Sequence, residues 1–441
     1  MDKLRLWLLQ YYRNITNSIA FYPILISIGM TLLAVIFIFS EASGLSRYID
    51  EYAPFLLIKN IDTARNILTT MIGGLVSLMV FSFSMVMILL NQAANNLTPR
   101  VLPSLISNRN HQLVLGFYIG TILFCIIAIV NVVPEFNNFG IPSATVLFGI
   151  FLSICCFGLF VYFIHSISES IKVSNILHHV FERTRQQLDH LEDNQPTIVK
   201  KDDFNNWKSC RSKRSGYLST IDSSRLIAIA KKENTIIRIS QPLGAYVPFE
   251  HEVFQVESEI PPNRVEDIRH CLLIDNGDVA ANSYTEGFRH ITEIAVKAMS
   301  PGINDPGTAI NAINYMADLY AIRLRHFDQE QQHDDTDQLR LIITPIPFED
   351  LLYANMASLR QYCKSDVIVM RKLLEMLLHL LSIRGISDKS YREVIRQELQ
   401  TLMNDAEKHL SNPRDFAQLQ MTLRQFSDQR EGADAIVRAM L

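Results

Sequence analysis

The chain has 441 residues, of which 48% are hydrophobic and 20% charged, with a net charge of −4; soluble domains usually carry about 25% charged residues. The shortage is one-sided: residues 1–170 hold 8 Lys+Arg and 7 Asp+Glu, while the other 271 residues hold 33 and 38. This excludes an ordinary soluble chain, whose surface needs charge throughout, and gives no reason to expect nucleic acid as a partner.

At the start, Leu4, Trp7, Leu8, Tyr11 and Tyr12 alternate with Lys3, Arg5 and Arg13, a composition that suits a short helix at the lipid headgroup boundary. Four uncharged apolar runs follow, at 21–40, 67–90, 113–133 and 145–164. Each is about 20 residues or longer, and at about 1.5 Å per residue that crosses a hydrocarbon core of roughly 30 Å. The first is longer than the roughly 7–15 residues of a signal-peptide core, so it reads as a retained anchor. The turn between the third and fourth runs has Glu135 and no Lys or Arg, which places it outside. Counting from there, the loop with Arg100 and Arg109 is cytoplasmic, the 41–65 loop external despite Arg47, Lys59 and Arg65, and both termini cytoplasmic.

The second run is the unusual one. Thr70, Gly74, Ser77, Phe81, Ser84 and Asn91 recur every three or four residues, except across the last interval, and so share one helix face, with Gly73 alongside. A small, uncharged, polar face suits close helix packing or the lining of a hydrated path between subunits. In the second case Asn91, Gln92, Asn95, Asn96 and Arg100 form the cytoplasmic mouth. No intramembrane acid or base offers a proton relay, which favours a passive pathway over a pump.

Beyond the fourth run, Leu177, Val180, Phe181, Thr184, Leu188 and Leu191 form a helical stripe that continues the membrane helix. It packs within the chain or forms a short stalk between subunits. A basic stretch from Gln195 to Arg214 reads as a linker, solvated or touching anionic headgroups. Short β-branched stretches at 217–221, 226–230, 235–239, 246–247 and 253–256 then read as strands separated by Pro242, Gly244 and Pro248. The run from Gly244 to Val256 is similar to one hairpin of the barrel-sandwich folds related to biotinyl and lipoyl carriers. It lacks a counterpart to their modifiable lysine, so a small β domain follows and no swinging cofactor.

From Thr285 the pattern turns helical. Phe288, Ile291, Ala295 and Ala298 line one helix face, and Ala309, Ile313, Met316 and Tyr320 another. Between them stands Ser300-Pro-Gly-Ile-Asn-Asp-Pro-Gly-Thr308, in which Asp305 and Pro306 supply an N-cap and a first-turn proline. Ser300, Gly302, Asn304, Asp305 and Thr308 are candidates for a ligand or interface loop. Against anion binding stands Asp305 itself, whose carboxylate already occupies the positive end of the helix dipole. The alternative is a plain connector. An acidic, loop-like stretch at 328–337 precedes an apolar run at 339–343, and helices fill the rest.

Catalytic signatures are missing: there is no P-loop, Rossmann glycine pattern, nucleophile elbow, HExxH or CxxC. His178 and His179 are adjacent on a helix and point about 100° apart, a poor arrangement for one metal. No enzyme activity, cofactor or metal is expected.

Asn91-Gln92 through Thr98-Pro99-Arg100, Leu115-Gly116-Phe117 to Gly120-Thr121, Ser215-Gly216-Tyr217 to Ile221-Asp222, and Ala298 to Pro306 together resemble a bacterial family of predicted integral membrane proteins of unknown function. The chain departs from that pattern at Gly307, where the family has a bulky residue, and at Asn282-Ser283, where it has Gln-Asp. The resemblance implies an inner-membrane architecture and brings no activity. The expected fold class is an α-helical membrane domain over 1–170 with a cytoplasmic α+β region: a helix and basic linker over 171–214, a small β domain over 215–262 and a helical domain over 263–441. The expected partners are the bilayer, further copies of the chain and an unidentified cytoplasmic ligand.

Overall fold

The computed structural model describes residues 20–43, 46, 51, 58, 60–96, 109–132, 142–170, 172–191, 204, 206–275 and 283–428. The amphipathic segment expected near Trp7 lies outside them. The chain divides into two compact units, Met1–Asn175 and Ile176–Leu441.

Among its described residues the first unit is a bundle of four helices, α1 (Phe21–Ala42), α2 (Ile61–Asn96), α3 (Arg109–Val130) and α4 (Ser143–Ser170). All four are long and apolar enough to cross a membrane. α1 packs closely on α3, and two glycines allow it. A Cβ on Gly116 would lie 2.9 Å from Pro23 Cα, and one on Gly120 would lie 2.7 Å from Met30 Cγ, the small-xxx-small device that brings helices together where lipid supplies no hydrophobic drive. At one end of the bundle the helix termini are tied by polar groups. Arg65 donates from Nε and a terminal guanidinium nitrogen to Val132 O at 3.1 and 2.7 Å, and Glu41 accepts from the Thr145 N–H at 2.9 Å. A guanidinium at the carbonyl end of α3 and a carboxylate at the amide end of α4 both complement the helix dipoles.

The boundary between the units falls within the first turn of α5 (Val173–Asp189), a helix separate from α4, which itself runs on to Ser170. The stripe read from the sequence packs within the chain: Leu177, Phe181, Thr184 and Leu188 are buried. Among the described residues eight strands form two sheets. The larger has the order β1 (Lys208–Arg211), β5 (Glu252–Val256), β3 (Ile237–Ile239), β8 (Leu339–Ile343), β7 (Glu330–His333); the smaller runs β4 (Tyr246–Val247), β2 (Gly216–Ile221), β6 (Leu272–Asp275). Only β3 and β8 pair in parallel. Between the strands lie α6 (Ser223–Lys232) and α7 (Pro262–His270), then α8 (Tyr284–Ala298), α9 (Pro306–Arg323), α10 (Phe348–Cys363), α11 (Val367–Ser382), α12 (Ser390–His409) and α13 (Pro413–Asp428).

Several local expectations are corrected. Residues 226–230 form part of α6, not a strand: Asp222 caps its start through the Arg225 N–H, Lys231 and Lys232 close it, and Leu226, Ile229 and Ala230 form a buried helical stripe. The 244–256 hairpin does not form, because β4 pairs with β2 in the small sheet while β5 joins the large one. Lys208–Arg211, within the stretch read as linker, is an edge strand that turns only Cys210 inward, and polar, lysine-bearing edges are how sheets resist adding further strands. The acidic stretch at 328–337 contains β7 and the turn of a hairpin. Strands on both sides of residue 262 share the five-stranded sheet, and Leu341 of β8 enters the same core as Leu218, Ile229, Ile237, Phe254 and Ile268.

Candidate functional site

On α2 the polar stripe faces away from the bundle. Ala64, Leu68, Leu75 and Ser82 are buried against α3 and α4, whereas Thr70, Gly74, Ser77, Phe81, Ser84 and Asn91 are exposed. Among the described residues no atom outside α2 comes within 4 Å of a Cβ placed on Gly73 or Gly74, in contrast to the filled positions on α3. Ser77 and Ser84 donate to Gly73 O and Val80 O, both at 2.9 Å. Their protons are therefore satisfied within the helix, while the oxygens keep lone pairs directed outward. Asn95 and Asn96 close the helix, but their side chains, that of Gln92 and all of Arg100 lie outside the described residues.

Polar groups that periodicity did not single out lie on the inner side. Ser82, Tyr118 and Thr121 are buried between α2, α3 and α4, with Cys156 Sγ 3.5 Å from Thr121 Oγ1. These residues sit singly among apolar neighbours, so no sequence period marks them.

The Ser300–Thr308 loop is an exposed turn closed on itself. Asn304 is left-handed at φ 51°, the Asp305 N–H returns to Ala298 O at 2.8 Å, and Asp305 caps α9 through the Thr308 N–H at 3.1 Å and its hydroxyl at 2.6 Å. Those two Thr308 bonds hold the Asp305 carboxyl below the usual carboxylate range. A Cβ on Gly307 would lie 3.3 Å from Asp305 Oδ1, a tight contact that a small shift of the carboxylate relieves. Asp305→Ala should cost about 0.5–2 kcal/mol, the usual loss for a removed cap. The carboxylate's share of stability is full above its unfolded pKa of about 3.9 and is lost as pH falls through the lower folded value. Thermal denaturation of both proteins between pH 3 and 7 should therefore converge at the acid end. A constant gap across that range would rule out the charged cap as the cause.

A second concavity was not foreseen. Between α8 and α10 runs a cleft of about 540 Å³, walled by Glu286, Arg289, Glu293 and Val296 on one side, by Asp350, Ala354, Ser358 and Tyr362 on the other, and closed by Gly244 and Ala245. Its floor is a buried polar pair in which Thr292 donates to Asn355 Oδ1 at 3.0 Å while Asn355 Nδ2 donates to Tyr320 and to Leu351 O, both at 2.9 Å. Arg289 is ion-paired with Glu286 and lies 3.7 Å from Glu293. Asp350, Ala354, Ser358 and Tyr362 recur every four residues and so share one face of α10, but Glu349, Asn355, Arg360 and Gln361 stand on the same helix, so no sequence signal singles the row out.

On the opposite side of α8 from this wall sits α5. Gly287 lets Thr184 approach so closely that a Cβ would fall 1.7 Å from its hydroxyl oxygen, and Phe181 stacks on Tyr315 of α9 at 4.5 Å.

With the bundle and these sites described, comparison places the chain among known sequences. The family model described as "Predicted membrane protein (DUF2254)" matches residues 16–379. The chain belongs to this family. Two similar relatives of this DUF2254 protein are uncharacterized proteins of Mycobacterium bovis and Mycobacterium tuberculosis, each 22% identical over 369 residues, covering 80% of this chain and 70% of the relative. No solved structure matches. This DUF2254 member is thus a membrane protein with four candidate spans followed by a mixed α/β region.

Proposed function

We propose that the protein assembles through the uncovered face of α2 into a homo-oligomer in a bacterial inner membrane, where the α2 helices surround a passive pathway for ions or small solutes. Both termini and the second unit lie in the cytoplasm, where that unit governs the pathway, and the protein performs no catalysis. One observation carries this reading. The stripe from Thr70 to Asn91 is small and polar apart from Phe81, whose ring lies 5.9 Å from that of Phe160 on α4; its members are exposed among the described residues, and Gly73 and Gly74 have open space where Gly116 and Gly120 of α3 have a partner helix. Outward lone pairs on Ser77 and Ser84 offer weak coordination without fixed charge, which suits passage better than tight binding.

Reconstituted into liposomes, the purified protein should pass small ions or solutes, and Ser77→Phe with Ser84→Phe should reduce the flux at least tenfold while cross-linking still traps the oligomer. An absence of flux for every ion and voltage tried sinks the conduit. Dissociation of the oligomer by the same variant would assign the stripe to packing alone. A second reading, a membrane-anchored sensor, is favoured by the α8–α10 cleft rather than by the self-capped Ser300–Thr308 loop.

A further inference from the structure

Two exposed aromatic side chains of the second unit stand close together in the fold. Tyr246 and Phe249 are 54% and 64% exposed, the first on β4 and the second on the turn that follows it. Tyr217 of β2 lies opposite Tyr246 across the small sheet, their rings 5.3 Å apart and edge to face. The turn is braced. The His251 N–H donates to Pro248 O at 3.2 Å, and Glu250 is left-handed at φ 60°. Ser212 holds it from the side, donating its N–H to His251 O at 2.8 Å and accepting from the Glu250 N–H at 3.1 Å. Those bonds keep the exposed Phe249 ring at the tip.

Ser212 belongs to Arg211-Ser-Lys-Arg214, which ends the basic stretch of the sequence. Lys213 pairs with Glu266 of α7, which Arg269 also binds. Arg211 and Arg214 are exposed, and among the described residues neither side chain has an acid partner. With Glu250 and Glu252 on the neighbouring turn and strand, four cations stand against three carboxylates, and the two free ones are arginines. Tyr353, 62% exposed on α10, has the opposite setting, since Glu349 and Asp350 lie one turn before it on the same face. Aromatic rings beside unpaired arginines suit the headgroup layer of an anionic bilayer, where the rings reach the acyl boundary and the guanidiniums meet phosphates. Lipid is also at hand, because α4 ends at Ser170 and the second unit begins at Ile176. A contact too weak to recruit a free protein suffices for one already tethered.

We propose that the β2–β4 end of the second unit docks through Phe249, Tyr246, Arg211 and Arg214 on the anionic headgroups of the bilayer that the chain occupies. This surface is independent of the conduit, which liposome flux tests on its own.

The test is quenching by brominated lipid. Trp7→Phe and Trp207→Phe remove the two native tryptophans. Phe249→Trp then reports alone from the full chain in vesicles of phosphatidylcholine with phosphatidylglycerol, at about 0.15 M salt, where diffuse attraction is screened. Brominated acyl chains should take most of its fluorescence, and much less in vesicles of phosphatidylcholine alone or after Arg211→Gln with Arg214→Gln. Tyr353→Trp in the same background should keep its emission. Tyr246→Trp replaces Phe249→Trp as reporter if circular dichroism shows that the latter fails to fold. The proposal is overturned by an absence of quenching at the folded reporter, by equal quenching of Tyr353→Trp, or by quenching indifferent to lipid charge and to the arginine substitutions. Reporter emission that shifts with protein concentration in detergent would also overturn it, assigning the patch to a second copy of the chain.

Discussion

Arg323→Met should cost the second unit several kcal/mol, about 1–3 kcal/mol for each buried acceptor it strands, with a smaller share from Asp328, whose side chain is about one-third exposed. Arg323 ends α9 and is completely buried, the largest such side chain among the described residues. Its guanidinium donates to His326 O at 2.9 Å and to Ile346 O at 3.4 Å, and pairs with Asp328, which also accepts from the Phe348 N–H at 3.0 Å. Tyr284 of α8 lies beside it, its hydroxyl pushed up by burial. One side chain therefore joins the end of α9, the loop after it and the start of α10. Methionine fills much of the volume but strands two carbonyls and a carboxylate. Arg323→Lys should recover only part of the loss, since an ammonium cannot span three acceptors in different directions. Chemical unfolding of the full chain, followed by fluorescence of Trp207 in this unit, measures both. A cost under about 1 kcal/mol for Arg323→Met would remove the network from the account of stability.

The second large effect is expected at Gly287. Adding one methyl puts it 1.7 Å from Thr184 Oγ1 and 2.7 Å from its Cβ and Cγ2. Thr184 has little freedom to retreat, because it is β-branched and its hydroxyl donates to Val180 O at 2.7 Å. The helix must move as a body, and Gly287→Ala should cost about 1–3 kcal/mol as overpacking does. Part of that should appear as lifting of α5. A cysteine at Phe181, buried in the parent, should react with a maleimide at least several-fold faster in the Gly287→Ala background. Unchanged protection would mean that α8 yields instead of α5. Thr184→Ala should relieve the hydroxyl clash and restore part of the protection.

What the sequence discloses differs between the two units for physical reasons. In the membrane unit, length and apolar composition suffice, and α1 to α4 appear where the charge-free runs lie, with ends shifted by up to six residues. The faces of α8 and α9 are equally plain, since Phe288, Ile291, Ala295, Ala309, Ile313 and Met316 keep helical period and are all buried. The β region was read less well. A short amphipathic helix such as α6 contains β-branched residues that imitate a strand, and only Asp222 and the closing lysines mark it. Strand pairing is non-local: nothing near β3 announces that its neighbour is β8, and the Gly244–Val256 run splits between two sheets. Of the sites, the α2 stripe and the Asp305 cap follow from periodicity and capping chemistry. The α8–α10 cleft does not, because it exists only once two helices far apart in sequence stand side by side.

The parallel pairing of β3 with β8 sets a condition on how the protein is made. Ile237–Ile239 leaves the ribosome about 100 residues ahead of Leu339–Ile343, roughly 5–20 s at ordinary rates of translation. Throughout that interval one side of β3 has its amides and carbonyls without their final neighbour, while β5 has already taken the other. A message cut short between residues 256 and 339 yields a polypeptide in which that side of β3 never closes, anchored in the bilayer and ready to accept a strand from another nascent copy.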